Sequence, residues 1–129
     1  MPYIINAPNG MITANFSWNE AKCRHCGQIP SVEAVQNTAR WMERIRAALG
    51  NRVIHVNSWC RCPEHNAFVG GVPNSLHIAG WAVDMTVRGM TPGQVHAALR
   101  PLQGGGGPVG GLGRYASFTH VDRGPVDNW

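Results

Sequence analysis

The sequence predicts a single α+β domain in which helices flank a small antiparallel sheet. Its 129 residues are enough for one hydrophobic core, and a hydrophobic share of 43% is typical of a globular chain. Helical and extended patterns do not alternate regularly along the chain, so βαβ crossovers are not expected. Sixteen glycines and nine prolines predict many turns between short elements. With no internal repeat, residues 1–129 are interpreted as one domain.

The first elements are an N-terminal arm and a long helix. Residues 1–15 predict an irregular arm or an edge strand. The helix is expected to begin after Ser31, whose hydroxyl can cap the first turn, and to end at Gly50. Apolar residues at spacings of four and three give it one buried face: Val35, Ala39, Met42, Ile45 and Leu49.

The second half of the chain predicts strands and one short helix. Thr91 and Gln94 form a capping-box pattern, with proline in the first turn, for a helix that extends to about Leu99. Residues 104–108 predict an exposed, flexible loop. Strands are predicted at residues 53–56, 82–87, 110–115 and 117–121, the last two paired with each other.

Two histidines and one aspartate carry the strongest functional signal. His77 and Asp84 lie seven residues apart, and Gly80 between them permits a tight turn. His120 follows downstream. Two imidazoles and one carboxylate can hold a catalytic zinc and leave its fourth position for water. Since the chain has only seven acidic residues, Asp84 between apolar neighbours is predicted to be paired or metal-bound.

The four cysteines form two close pairs, Cys23 with Cys26 and Cys60 with Cys62. On an extended segment Cys60 and Cys62 point to one side and Arg61 to the other. A structural zinc held by all four thiolates would join the N-terminal loop to the segment that carries Arg61. Disulfides would do the same in an oxidising compartment, and free thiols are the third alternative. Because we predict no signal peptide, we expect the chain to be made in a reducing compartment, which favours structural zinc over disulfides.

Charge and hydropathy exclude some partners and predict a compartment. The net charge is +4, but the eleven basic residues are scattered and form no cluster with interleaved aromatic residues, so no nucleic-acid partner is expected. No run of eighteen apolar residues predicts a membrane span. Residues 1–10 lack a basic segment followed by an apolar run, so we predict no signal peptide. We therefore expect synthesis in the cytoplasm, and a monomer.

Several motifs, in a fixed order, resemble one family of zinc peptidases. Residues 75–84 read Ser-x-His-x6-Asp, and residues 118–122 contain His-x-Asp. Residues 57–66 resemble the family's Ser-Gly-Tyr-Arg block, which continues into Val-Gly-Gly at 69–71, and Gly-Arg-Tyr stands at 113–115. Over almost its whole length the chain is similar to the zinc D-alanyl-D-alanine carboxypeptidases of peptidase family M15. Phage peptidases that cut peptidoglycan stem peptides also belong to that family.

The resemblance implies a fold and a set of site residues. The fold would be hedgehog/DD-peptidase-like, with a zinc cleft on the sheet. Zinc would be held by His77, Asp84 and His120. Arg61 takes the position of the family's active-site arginine, where a guanidinium would bind a substrate carboxylate or the scissile carbonyl oxygen. Many members carry Asp or Glu as general base three residues before the last histidine ligand, where this chain has Ser117.

Asp122 is therefore the predicted general base. On a strand, Asp122 faces the same side as His120 two residues earlier, which would bring it to the zinc-bound water. The alternative is that Asp122 orients a ligand histidine by a hydrogen bond. Tyr115 is a further candidate for the cleft, and the roles of His25 and His65, close to the cysteines, stay open.

The predicted function is hydrolysis of peptide bonds in peptidoglycan stem peptides, by a D,D-carboxypeptidase or an endolysin-like endopeptidase. Without a signal peptide, phage lysis or incorporation in a virion would bring the protein to the bacterial cell wall. The alternative is a zinc-containing binding or structural module, such as a phage tail component, that has the peptidase fold but little turnover.

Overall fold

The structure, a computed structural model, describes residues 3–129. This part of the chain has the predicted α+β class, with small antiparallel sheets and a few helices. The likeness to the hedgehog/DD-peptidase fold and the single-domain interpretation stay predictions. In chain order the elements are β1 (Ile5–Asn6), α1 (Trp18–Ala21), β2 (Gln28–Ile29), α2 (Val32–Ala48), β3 (Ile54–Ser58), α3 (Pro63–Phe68), β4 (Ala82–Val87), α4 (Pro92–Leu99), a 3-10 turn (Arg100–Leu102), β5 (Gly111–Arg114), β6 (Thr119–Asp122) and β7 (Asp127–Asn128).

The central sheet has five strands in the order β3-β4-β6-β5-β7. The first four are antiparallel neighbours, which confirms the expected pairing of the two closing strands, and β7 runs parallel to β5. In the register of β4 with β6, Asp84 lies directly opposite His120. The sheet therefore brings two distant parts of the sequence side by side at the candidate metal site.

Helix α2 forms where its sequence predicts it. The Ser31 hydroxyl accepts a hydrogen bond from the Ala34 amide at 3.1 Å, as expected of an N-cap. Gly50 follows the helix with a φ of +81°, a conformation that glycine adopts without strain. The predicted apolar face is buried in one core cluster with residues of the central sheet: Val35, Ala39, Met42, Ile45 and Leu49.

Five short elements were not predicted, among them β2 and the 3-10 turn. Helix α1 begins with a capping box between Ser17 and Glu20, a pattern that the sequence displays, but it has only four residues. Helix α3 begins after Cys62 with proline in its first turn, and β7 has two residues. Elements this short depend on tertiary contacts more than on local propensity, which leaves little periodic signal in the sequence.

The predicted N-terminal arm packs onto the domain. Residues 1 and 2 of the arm lie outside the described residues. From Tyr3 onward the arm contributes β1, which pairs with β2 in a separate two-stranded sheet. The Tyr3 side chain is buried, and its hydroxyl donates a hydrogen bond to the Ile78 carbonyl at 2.7 Å and accepts one from the Arg61 amide at 3.1 Å. The arm is thus attached to the two segments that carry His77 and Arg61.

Among the described helices, none has the length and apolar character that a membrane span requires.

Candidate functional site

The predicted ligands His77, Asp84 and His120 converge at one end of the sheet. His77 lies just before the tight turn that leads into β4, Asp84 lies in β4, and His120 lies in β6. Gly80 has a φ of +78°, and its amide donates to the His77 carbonyl at 3.2 Å, so the turn folds back as predicted. The Gly80 carbonyl accepts hydrogen bonds from Thr38 at 2.7 Å and from the Trp59 indole at 3.1 Å, which fix the turn on the core.

The three side chains offer ligand atoms at distances that suit a tetrahedral metal ion. His77 Nε2 lies 3.2 Å from Asp84 Oδ1, and His120 Nδ1 lies 3.0 Å from the same oxygen. One ligand atom from each of the three residues falls within 4.8 Å of the others. Ligands about 2.0–2.1 Å from a tetrahedral zinc stand about 3.3 Å apart. The donor set and its spacing therefore fit zinc.

The His77 ring is oriented by a backbone carbonyl. Its Nδ1 lies 2.7 Å from the Trp59 carbonyl oxygen, which can only accept, so Nδ1 carries the hydrogen. The lone pair of Nε2 then faces Asp84 and remains available to a metal. Sequence reasoning missed Trp59, because every residue carries a carbonyl and only the fold selects this one.

The His120 ring is oriented by Asp122. His120 Nε2 lies 2.9 Å from Asp122 Oδ2, and Nδ1 faces Asp84. The other carboxylate oxygen, Asp122 Oδ1, accepts backbone hydrogen bonds from Gly111 at 2.8 Å and from Gly124 at 2.9 Å. A Cβ atom at Gly111 would stand 2.2 Å from Asp122 Oδ2, so this close approach requires glycine. His120 and Asp122 thus face the same side of β6, as the strand geometry predicts.

Burial and pairing act in opposite directions on the pKa values at the site. Burial disfavours the charged form of His120, but hydrogen bonds and charges of Asp122 and Asp84 outweigh it and raise the pKa of His120 to about 9. Burial would likewise raise the pKa of Asp84, yet His120 and His77 hold that pKa well below its usual range. The pKa of Asp122 is also lowered, by His120 and by the amides of Gly111 and Gly124 against the effect of burial. Both carboxylates are therefore anionic at neutral pH.

Arg61 lies beside the three ligands, as predicted. Its Nη2 atom is 3.7 Å from Asp84 Oδ2, and its Nη1 atom donates to Asn66 Oδ1 at 3.0 Å. Gly71 packs directly against this pair, since a Cβ atom there would stand 2.2 Å from Asn66 Oδ1 and 2.9 Å from Arg61 Nη1. Asn66 in turn donates to the Val72 carbonyl at 2.8 Å. The residues of the 57–66 and 69–71 motifs thus support one guanidinium.

A cleft of about 660 Å³ opens above these residues. Tyr115 and Phe118 stack on one wall with ring centroids 4.5 Å apart, and Trp129 donates from its indole to the Tyr115 hydroxyl at 2.7 Å. The Trp129 ring lies 5.0 Å from that of His120. Arg61, His77, Asp84, His120 and Asp122 all line the cleft.

The family model described as Peptidase M15 matches residues 8–122, almost the whole chain. The chain belongs to the peptidase M15 family. That family is zinc-dependent, in keeping with the nitrogen and oxygen donors at the head of the cleft. Among curated proteins, none matches this chain significantly.

At the position where many members of the family that the sequence resembles carry an acidic general base, this chain has Ser117. Ser117 is exposed, and it is not among the residues that line the cleft. Of the described residues, the carboxylates that line the cleft are Asp84 and Asp122. Tyr115 faces the cleft and is 41% exposed, so it is not a core residue.

The cysteines of this M15 chain form a separate cluster of three. The sulfur atoms of Cys23, Cys26 and Cys62 lie within 4.8 Å of one another. No disulfide joins the four described cysteines. Of the predicted four-thiolate set these three thiols meet, and Cys60 is not among them: it is buried, and its sulfur lies 3.5 Å from an ideal Cβ position at Gly80. Alternation along the chain fails here because Cys62 already caps helix α3.

Proposed function

We propose that the protein is a zinc metallopeptidase that hydrolyses a peptide bond in peptidoglycan stem peptides, with zinc bound by His77, Asp84 and His120. The observation that carries this proposal is the spacing of the three ligand atoms, at 3.0 and 3.2 Å about Asp84 Oδ1, at the head of an open cleft in an M15 chain. A zinc ion bound there would polarise the scissile carbonyl and lower the pKa of a bound water.

The chain's own residues prepare this site before any metal binds. The Trp59 carbonyl selects the tautomer of His77, and the Asp122 carboxylate selects that of His120. In this tautomer His77 directs a lone pair towards the metal position beside Asp84, and His120 does so once zinc displaces the proton that its raised pKa retains at neutral pH. His77 and Asp84 are buried and His120 is half-buried, so the ligands have little rotamer freedom to lose on binding.

Arg61 supplies the positive charge in the proposed mechanism. Its side chain is 13% exposed at the cleft, and Asn66 holds one of its two terminal nitrogens. A planar guanidinium with further free donors suits a carboxylate, held by two parallel hydrogen bonds, or the oxygen of the scissile carbonyl. Stem peptides carry carboxylates close to their peptide bonds, so one arginine suits this substrate class.

Asp122 has two candidate roles, and its contacts support one more than the other. All of its observed contacts orient His120 or fix the carboxylate itself, through one imidazole and two backbone amides. This supports a positioning role. General-base catalysis stays a prediction, since Asp122 is the one carboxylate lining the cleft, in residues 3–129, that is not a proposed ligand.

The place of action and the partners are further parts of the proposal. The net charge is +4 and the basic residues are scattered, which favours an anionic wall polymer over nucleic acid as the partner. We propose that a monomer acts at the bacterial cell wall, in phage lysis or as part of a virion, without a membrane or nucleic-acid partner.

One observation favours a second candidate, a wall-binding module with little turnover. The position where many family members carry Asp or Glu as general base holds Ser117, which is exposed and does not line the cleft. Such a module would keep the cleft and its zinc but release no product.

Digestion of purified sacculi separates the two candidates. Zinc-loaded wild-type protein and the His77→Ala variant are incubated with sacculi, and soluble products are weighed by mass spectrometry. The peptidase predicts new stem-peptide fragments from the wild type alone, and their masses identify the bond. Sedimentation of the wild type with sacculi, with zinc bound and no fragment released, would favour the module.

A further inference from the structure

The three clustered thiols lie on two segments that are far apart in the sequence. Cys23 and Cys26 flank the turn between α1 and β2, and Cys62 directly precedes α3. None of the three lines the catalytic cleft. Their sulfur atoms nevertheless lie within 4.8 Å of one another, without a disulfide among them. Cys23 and Cys62 are buried and Cys26 is exposed, and three thiols this close together offer a metal ion a shared set of ligands.

The local backbone presents the first two thiols as a metal-binding turn. The Cys23 amide donates to the Gln28 carbonyl at 3.0 Å, and the Gly27 amide donates to the Cys23 carbonyl at 2.8 Å. Gly27 has a φ of +72°, which permits the chain to reverse directly after Cys26. The spacing Cys-x2-Cys on such a turn is that of structural zinc sites.

Backbone amides also point at the sulfur atoms. The Cys62 amide donates to Cys23 Sγ at 3.3 Å, and the His65 amide donates to Cys62 Sγ at 3.4 Å. Hydrogen bonds of this kind favour the thiolate, which is the form that binds metal. They also link the two segments of the cluster through the sulfur atoms themselves.

His65 is suited to be the fourth ligand. It follows Cys62 at the spacing Cys-x2-His, and Cys62 is the N-cap of α3, whose sulfur accepts the hydrogen bond of the His65 amide. In this structure its ring stacks on that of His25, with centroids 5.6 Å apart, beside the cluster. Cys60, by contrast, is buried in the core with its sulfur toward Gly80.

We propose that Cys23, Cys26, Cys62 and His65 hold a structural zinc, separate from the catalytic site. Three thiolates and one imidazole form a closed tetrahedral set, and soft thiolate ligands select zinc over harder cations. The ion would join the N-terminal segment to residue 62, the neighbour of Arg61, and so fix the backbone from which Arg61 enters the cleft. This role goes beyond hydrolysis, since the ion would not contact substrate.

The test removes the cleft site first. In a His77→Ala background, zinc per chain is measured for the parent, for Cys62→Ala and for the matched control Cys60→Ala. We expect about one zinc in the parent and in the Cys60→Ala protein, and none in the Cys62→Ala protein. Zinc X-ray absorption of the parent should give three sulfurs at about 2.3 Å and one nitrogen at about 2.0–2.1 Å.

The histidine pair gives a second matched comparison. His65→Ala should lower zinc affinity by tenfold or more and lower the melting temperature with chelator present, whereas His25→Ala should change neither. A zinc-free parent, a loss of zinc in Cys60→Ala, or a count of four sulfurs would overturn the proposal. Equal effects of the two histidine variants would overturn the assignment of His65. The sulfur count needs no cysteine variant, so it decides the question even if Cys62→Ala does not fold.

Discussion

Replacing Asp122 with asparagine is expected to weaken zinc binding by changing the tautomer of His120. Asp122 Oδ1 accepts amides from Gly111 and Gly124, which are fixed in the backbone. The asparagine oxygen must take this position, because its amide nitrogen would otherwise face two donors. Its amide nitrogen then faces His120 Nε2, 2.9 Å away in the wild type. His120 must accept there, so its hydrogen moves to Nδ1, the atom directed at Asp84 and the zinc position.

The expected size of the effect differs between the two roles of Asp122. Loss of a carboxylate that orients a ligand histidine costs about ten- to a hundredfold in metal affinity, or about 1.4–2.8 kcal/mol. Loss of a general base would instead lower turnover by about 10²–10⁴-fold and leave the metal in place. The contacts of Asp122 predict the first result.

The assay measures both quantities on the same protein. Zinc affinity is obtained by competition with a chromophoric chelator, and stem-peptide hydrolysis is followed at zinc concentrations that saturate each variant. Asp127→Asn is the matched control, because it makes the same change at an exposed carboxylate in β7. Unchanged zinc affinity in Asp122→Asn, with hydrolysis lost at saturating zinc, would refute the positioning role and support the base.

The remaining predictions concern Arg61, Gly71 and the pH dependence of zinc binding. Arg61→Lys keeps the positive charge but loses the planar guanidinium with its parallel donors. Catalytic efficiency should therefore fall by about ten- to a thousandfold with zinc content unchanged. Gly71→Ala should lower efficiency in the same way, because the added methyl would stand 2.2 Å from Asn66 Oδ1 and 2.9 Å from Arg61 Nη1. Apparent zinc affinity should rise about tenfold per pH unit between pH 7 and 9, because zinc must displace the proton of His120, whose pKa is raised to about 9. Over the same window the metal-free protein should lose stability, since a raised folded-state pKa stabilises the fold only while His120 is charged.

Each of these predictions has its own contrary result. Near-normal turnover of a folded Arg61→Lys protein would make the arginine structural. Gly93→Ala is the control for Gly71→Ala, since the nearest atom to its added methyl would be 3.5 Å away, and equal effects of the two would contradict the clash. A zinc affinity that stays flat from pH 7 to 9 would mean that His120 is already neutral in the metal-free protein.

The sequence predicted those features that leave a repeated or spaced pattern. Helix α2 has a cap, a long apolar face and a terminating glycine, and each is found in the structure. The strands that carry Asp84 and His120 were predicted, whereas their pairing, which places the two residues opposite each other, is seen only in the structure. His77 joins them because Gly80 permits the turn.

The features that escaped prediction depend on backbone groups and on packing. Every residue carries a backbone carbonyl, and every residue except proline carries a backbone amide. Only the fold therefore selects the Trp59 carbonyl and the two amides that hold Asp122. Tyr3 attaches the arm through its hydroxyl, a contact between residues more than fifty positions apart. The separation of Cys60 from the other three thiols was not predicted, because alternation along an extended segment does not account for the helix that starts after Cys62.

The most direct test of the zinc-peptidase proposal is a zinc titration of the metal-free protein, with release of product from a defined stem peptide measured at each step. The wild type is predicted to gain activity with added zinc and to reach a plateau. His120→Ala, checked for folding by its melting curve, is predicted to stay inactive at every zinc concentration. A wild-type protein that binds zinc in the cleft and releases no product, or a His120→Ala protein that is activated equally well, would contradict the proposal.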